Sequence, residues 1–401
     1  MKCKLCNGED QKLIFNLGKS PLGIPILNNS KKNIFVESLK IYVCKNCYLI
    51  QNFTSFPKEV KIDTQYTTKS ELIKKHHKKL AGIIKSLEFK TKNPLVMEIG
   101  CSDGGLLNML KKVKFNNLIG IEPAIHKDID YDFPIIQKFF NKELVDNLSK
   151  DNCRPELLIT SYIIENISEL EEFFKNVQKL LKINSWFVIE VPYSIDHLKN
   201  LRIDAFSHLN RYWFTITSLD YILTKIGVKI FSISHDDEYR GGTLTIVGKK
   251  QQTVTLNHNL KQKVVEEKDF LESINNNEMH KRIEAIRIET IDHIKLLKSK
   301  KIDVIGFGGG IKSSTLLNWL GLSKNEMKFV VDSDSSKQDK IIPLTGIQIK
   351  SIDEILNLNV KVAVVVLALD FADEIIPLLL NKLPPNSEII TILPKFVVTK
   401  T

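Results

Sequence analysis

Four of the six cysteines stand as Cys3-x-x-Cys6 and Cys44-x-x-Cys47, with 37 residues between the pairs. Four thiolates at this spacing can close a tetrahedral Zn²⁺ site, whose bond energy is then folding energy for a segment too short to have much core. A redox Cys-x-x-Cys is expected once, beside a strand–helix–strand unit, and paired disulfides need an oxidising compartment. Structural zinc on Cys3, Cys6, Cys44 and Cys47 is therefore the expectation. Cys101 and Cys153 stand alone and read as small packed side chains. A second chemistry is written in Val96-Met97-Glu98-Ile99-Gly100-Cys101-Ser102-Asp103-Gly104-Gly105. An apolar run carrying one acid breaks there into a glycine-rich turn, where backbone can approach a ligand closely. The N–H groups that open the following helix offer a site for a carboxylate or phosphate. Glu122 ends a second apolar run 24 residues beyond Glu98, close to the spacing of a ribose-binding acid in a Rossmann-type unit. A third cluster is Ser207-His208-Leu209-Asn210-Arg211-Tyr212-Trp213-Phe214. Neutral imidazole accepts a proton near pH 7, which makes His208 the general-base candidate; a packed histidine among aromatics is the plainer reading. Glu190, Tyr193, Asp196 and His197 border the same region.

These residues need a scaffold, and the apolar runs supply one. Strands are expected at Leu95–Ile99, Leu118–Glu122, Ile135–Gln137, Leu157–Ser161 and Trp186–Val191, with helices at Ile167–Leu181 and Ser218–Ile226. Lys229–Ser234 and Thr243–Val247 read as an antiparallel pair closing the sheet. Such alternation argues for an α/β fold, a mostly parallel sheet with helices on both faces. Helical periodicity occupies about 70–90 and again 259–297. A second α/β region opens at Ile302, where Gly306-x-Gly308-x-Gly310 precedes strands Phe329–Asp332 and Val362–Leu369. That turn alone is weak evidence for a nucleotide site. Lys312 just beyond it could meet a pyrophosphate, although a lysine there is more often solvated. The division expected is a zinc-binding module over 1–62, a central domain over 63–255, a helical linker over 256–300 and a Rossmann-like domain over 301–401.

Composition narrows the partners. The chain has 401 residues, 43% hydrophobic, with 57 Lys+Arg against 47 Asp+Glu and a net charge of +10. The lysines are spread out and form neither an Arg-rich stripe nor a nucleic-acid motif, so no nucleic-acid partner is expected. A mild positive field suits an anionic small substrate at least as well. No apolar run approaches the roughly 18–20 residues of a membrane span, and the first residues lack a signal-peptide apolar region, so the cytoplasm is the expected compartment.

The turn Glu98-x-Gly100-x-x-x-Gly104 differs from the dinucleotide pattern and resembles motif I of class I S-adenosylmethionine (SAM) methyltransferases. The order of cysteine knuckles, Glu-Ile-Gly-Cys-Ser-Asp-Gly-Gly and a second Rossmann-like unit resembles the three-domain nucleotide-sugar C-methyltransferases across nearly the whole chain. Tyr66-Thr67-Thr68-Lys69-Ser70, Gly241-Gly242-Thr243-Leu244, Gly308 to Asn318, Val331 to Gln338 and Leu369 to Ile375 add looser matches in the same order. The resemblance implies a class I methyltransferase domain between a zinc-binding module and a C-terminal Rossmann-like domain. It implies SAM held by Glu98, Gly100, Ser102, Asp103, Gly104, Glu122 and Ser161, and a keto-deoxysugar nucleotide between the central and C-terminal domains, with Lys312, Tyr193 and Arg240 on the substrate. It implies C-methylation through an enolate, with His208 as base, Tyr66 in the site and Asn166 where the family carries a histidine. The family's Tyr-x-Glu-His run stands here as Ala205-Phe206-Ser207-His208, so its tyrosine and glutamate are changed. O- or N-methylation of a related sugar is the rival chemistry, and a non-catalytic RNA-binding or assembly protein the rival class.

Overall fold

The computed structural model describes residues 1–27, 34–54, 70–125, 129–252 and 258–401. The N-terminal part holds β1 (Gln11–Pro21), β2 (Ile26–Leu27), β3 (Val36–Cys44) and β4 (Ile50–Gln51), of which β1, β3 and β4 are neighbours in one antiparallel sheet. The long antiparallel pair β1–β3 buries Ile14, Phe15, Leu39, Ile41 and Val43. Its alternating side chains leave the other face to solvent or to neighbours.

The central part opens with helix α1 (Glu71–Lys85) and runs through β5 (Val96–Ile99), α2 (Gly105–Lys112), β6 (Leu118–Ile121), β7 (Ile135–Ile136), α3 (Lys142–Lys150) and β8 (Leu157–Ser161). It continues through α4 (Leu170–Leu180), β9 (Trp186–Pro192), α5 (Ser194–Lys199), β10 (Tyr212–Trp213), α6 (Ile216–Lys225), β11 (Val228–Asp236) and β12 (Thr243–Lys250). Seven of these strands form one sheet in the order β11-β12-β9-β8-β5-β6-β7. Strands β5 to β9 are parallel, while β12 is antiparallel to both β9 and β11. The expected closing pair is therefore present. Near-continuous apolar runs suit strands covered on both faces. Thr215 caps α6 through a reciprocal box with Ser218, which fixes where that helix starts.

Helices α7 (His258–Ser273) and α8 (Asn276–Ser299) lead to the C-terminal part. Its elements are β13 (Asp303–Phe307), α9 (Ile311–Leu320), β14 (Val330–Asp332), β15 (Lys340–Ile341), β16 (Ile349–Ser351), α10 (Asp353–Leu356), β17 (Val362–Val366), α11 (Ala372–Lys382), β18 (Glu388–Thr391) and β19 (Val397–Lys400). The second sheet runs β16-β14-β13-β17-β18-β19, parallel but for β19. Two short pairings cross the expected divisions. Strand β10 joins β4, and β15 pairs with β2. Among the described residues no helix is long and apolar enough to cross a membrane.

Candidate active site and metal centre

The four knuckle cysteines converge. All four Sγ atoms lie within 4.8 Å of one another, with Cys3–Cys47 at 3.6 Å and Cys6–Cys44 at 3.5 Å. Tetrahedral Zn–S bonds of about 2.3 Å place sulfurs roughly 3.8 Å apart, so the cluster has the dimensions of such a site. The two knuckles repeat one geometry. Asn7 and Tyr48, each directly after the second cysteine of its pair, adopt φ of 61° and 59°. Leu5 N–H points at the Cys3 sulfur and Gly8 N–H at Cys6, each at 3.4 Å. Such donors favour thiolate, although burial, the largest cause, and the neighbouring Cys3 still leave the metal-free Cys6 thiol raised, to about 11.

Strand β5 delivers Glu98 to the glycine turn. The backbone turns left-handed at Gly100, Ser102 and Gly104, with φ of 73°, 48° and 74°. A Cβ on Gly100 would stand 2.2 Å from Ile163, and one on Gly104 2.6 Å from Phe133. Larger residues are thus excluded on both sides of the turn. Glu98 is 4% exposed, and its Oε2 has no hydrogen-bond partner among the described residues. Burial, then the neighbouring Asp103, Glu190 and Glu122, push its carboxyl up to about 8. An acid in this setting calls for a cation. Asp103 accepts from Gly105 N–H at 3.2 Å, fixing the start of α2. Glu122 accepts from Ser102 N–H and Ala124 N–H, both at 3.0 Å. That employs one lone pair on each oxygen of a half-buried carboxylate, which carries about four acceptor positions.

Ser161, at the end of β8, donates to Glu190 at 3.1 Å. Glu190 also meets His76 Nε2 at 2.8 Å and Thr245 Oγ1 at 3.3 Å. The His76 ring stacks on Tyr239, 3.7 Å between centroids with the ring planes nearly parallel. His76 was not expected here. It lies in a lysine-rich run that reads as a solvated face, and its only sequence signal is the four-residue step to the buried Leu80 and Ile84.

Lys312 and Arg240 do meet, at Asp370. Lys312 Nζ lies 2.7 Å from one Asp370 oxygen and 2.9 Å from the other, and Arg240 Nε is 3.6 Å away. Arg202 reaches the same carboxylate at 2.6 Å and forks onto Asp204 at 2.8 and 2.7 Å. Against burial, which would raise it, Lys312, Arg202 and Arg240 hold Asp370 well below the usual carboxylate range. Among the described residues, Lys312, Arg202 and Arg240 thus gather around Asp370 and Asp204. Arg240 also lies 4.4 Å from the centre of the Tyr162 ring, so this cluster adjoins the carboxyl end of β8. Gly241 is required beside it, since a Cβ there would stand 2.1 Å from Arg202. Burial, with Lys312 and Arg202 nearby, drives the His197 imidazole down to about 3 and keeps it neutral.

Two of the expected residues are engaged in other contacts. Tyr193 donates to Glu267 of α7 at 2.8 Å, so its hydroxyl ties the linker helix to the N-terminus of α6, whose Ile216 and Thr217 N–H groups bind the same carboxylate. His208 is fully buried. Its Nε2 meets the Glu37 carbonyl at 3.1 Å and must donate there, leaving Nδ1 to accept from the Thr54 hydroxyl at 2.9 Å. Burial lowers its pKa and keeps the ring neutral, but neither nitrogen is left for a substrate proton in this arrangement. Asn166 is exposed on the 3-10 turn Ile164–Asn166 after β8. Tyr66 lies outside the described residues. In the C-terminal unit, Asp332 accepts from Gly309 N–H at 2.8 Å and Asp334 N–H at 2.9 Å, closing its own glycine turn.

A seven-stranded sheet with one antiparallel strand inserted beside β9, and a glycine turn after the acid-bearing strand β5, define a class I methyltransferase domain. Comparisons agree: residues 71–233 match a methyltransferase domain family, and residues 238–394 match a family described as the C-methyltransferase C-terminal domain. The chain is a SAM-dependent methyltransferase. It is 23% identical over 390 residues to the C-methyltransferase NovU of Streptomyces niveus, covering 94% of this chain and 91% of that one. Solved structures similar to it include a SAM-dependent methyltransferase from Archaeoglobus fulgidus, 17% identical over 45% of this chain and 94% of its own, with a TM-score of 0.34. Another is the 1,6-didemethyltoxoflavin-N1-methyltransferase of Burkholderia thailandensis, 9% identical over 46% and 80%, with a TM-score of 0.35.

Proposed function

We propose that this enzyme methylates a carbon of a nucleotide-activated keto-deoxysugar in the cytoplasm, with a structural zinc on Cys3, Cys6, Cys44 and Cys47. The observation that carries the substrate class is the cluster at Asp370, where Lys312 and Arg240 come from different parts of the chain and meet beside the end of β8. A diphosphate beside them meets a lysine and an arginine, and its sugar then lies toward Tyr162 and the end of β8. The length-spanning likeness to NovU supports carbon as the acceptor.

When bound, SAM supplies a methyl group on a positively charged sulfur that needs placement rather than activation. Glu98 faces that positive charge, Glu122 offers its remaining lone pairs to the ribose hydroxyls, and the turn from Gly100 to Gly104 gives the backbone access. Ser161 holds the far edge through Glu190. The carbon acid is removable because the adjacent carbonyl accepts the electron pair, so the site must hold that oxygen and take the proton.

A second reading, O- or N-methylation on the same scaffold, is favoured by one feature. Ala205 and Ser207, where the resemblance puts the family's tyrosine and glutamate, are buried and offer neither a phenol nor an acid; the Ser207 hydroxyl accepts from Asn210 N–H at 3.4 Å. Incubation with SAM and a nucleoside-diphosphate keto-deoxysugar, with mass spectrometry of the product, decides between them. A new carbon–methyl bond supports the first reading; a methyl ether or methylamine refutes it.

A further inference from the structure

Glu165 occupies the 3-10 turn Ile164–Asn166 directly after β8, the strand that ends at the cofactor side. It is 4% exposed, and its Oε2 has no hydrogen-bond partner among the described residues. Its carbonyl accepts from Arg211 N–H at 2.8 Å, which pins this turn against the segment that carries His208. Two positions that the sequence marks for chemistry, Asn166 and His208, therefore converge on one seam. An amide cannot accept a proton there, and the imidazole is bonded at both nitrogens. Among the described residues, the acid–base group left uncommitted at the seam is Glu165.

We propose that Glu165 is the proton acceptor of the methyl transfer. This rests on the reading above. The substrate C–H proton passes to Glu165 Oε2, and the C–H electron pair moves into the neighbouring carbonyl as an enolate. The enolate carbon then forms a bond to the methyl, and the C–S pair stays on sulfur as a thioether. The proton leaves to solvent after product release. The charged groups that act on this carboxyl are Arg240, which favours its ionised form, and Glu190, which opposes it. Burial is the leading cause that raises it, to about 7, so near neutrality it is partly ionised yet basic enough to take a proton.

The test uses Glu165→Gln, Glu165→Asp and His208→Asn in the full chain. The probe is a thymidine-diphosphate-linked 4-keto-deoxyglucose deuterated at the carbon beside the carbonyl. Glu165→Gln is expected to lower kcat by roughly 10²–10⁴-fold and to abolish both deuterium washout with a non-donating SAM analogue and the rise of kcat/KM with pH near 7. Its SAM affinity by calorimetry should stay within about twofold, and Glu165→Asp should restore part of the rate. Wild-type washout in Glu165→Gln, or washout lost only in His208→Asn, overturns the assignment. Methyl transfer by wild type without any washout refutes carbon methylation alone, and the pH limb then decides Glu165 for whichever atom is methylated. If the probe is not turned over, infrared titration of the unliganded protein decides. A protonated carboxyl band lost near pH 7 in wild type and missing in Glu165→Gln supports the proposal, and its absence from wild type overturns it.

Discussion

Glu98 makes cofactor binding a proton-coupled event. The buried carboxyl, beside Asp103, Glu190 and Glu122, stands at about 8 in the cofactor-free protein. At pH 7 it is therefore about nine-tenths protonated, and a bound sulfonium and ammonium would ionise it. If the ionised form alone binds SAM tightly, apparent affinity falls in proportion to the ionised fraction: roughly 100-fold at pH 6, about tenfold at pH 7, and hardly at all at pH 9. Calorimetry in paired buffers of different ionisation enthalpy should show close to one proton released per SAM at pH 7, and fewer with the uncharged-sulfur product S-adenosylhomocysteine. Glu98→Gln should flatten the pH dependence and narrow the preference for SAM over that product. The stability sign runs the other way. Because the folded-state value lies above that of an unfolded glutamate, the contribution of this carboxyl is full below about 4.5 and lost as pH rises through about 8. Glu98→Gln should therefore raise the Tm of the unliganded protein at pH 9. A wild-type SAM affinity that is flat between pH 6 and 8, with no proton released, would refute this account.

Metal analysis should find one zinc per chain. Its removal by chelation, or Cys3→Ser, should destabilise the N-terminal sheet while leaving SAM affinity largely intact; absence of stoichiometric metal ends the claim. Glu122→Ala should weaken SAM at least tenfold in calorimetry, since hydrogen bonds to a charged partner contribute about 1.5–3 kcal/mol each. Asp370→Asn leaves Arg202 and Lys312 facing each other with one buried carboxylate fewer, and removing one partner of a buried pair costs about 3–5 kcal/mol. Denaturant unfolding should show that loss, and a stability unchanged from wild type would mean that the cluster is solvated. Lys312→Ala should raise KM for the nucleotide sugar with little change in SAM affinity; an unchanged KM would move the diphosphate elsewhere.

The parts legible in the sequence are those whose physics is local. Apolar runs marked β5, β6, β8, β9, β13 and β17, with glycine turns closing β5 and β13, and the cysteine spacing marked a cluster that the fold closes. The two-residue strands β10 and β15 carry no such pattern. Their pairing with β4 and β2 follows from the packing of distant segments, which periodicity does not record. The same limit separates candidate polar residues by partner rather than by type. His208 had the right chemistry for a base, but its ring is claimed by Glu37, 171 positions away, and Tyr193 by Glu267, 74 positions on. Glu165 had an ordinary-looking place beside Asn166 and becomes distinctive only through what surrounds it: a buried oxygen with no donor among the described residues. A sequence motif nominates a functional group by its chemistry. Whether that group keeps a lone pair for substrate is settled by the contacts of the folded chain, and on that criterion the carboxylate one residue before the expected position is better placed than the histidine the motif points to.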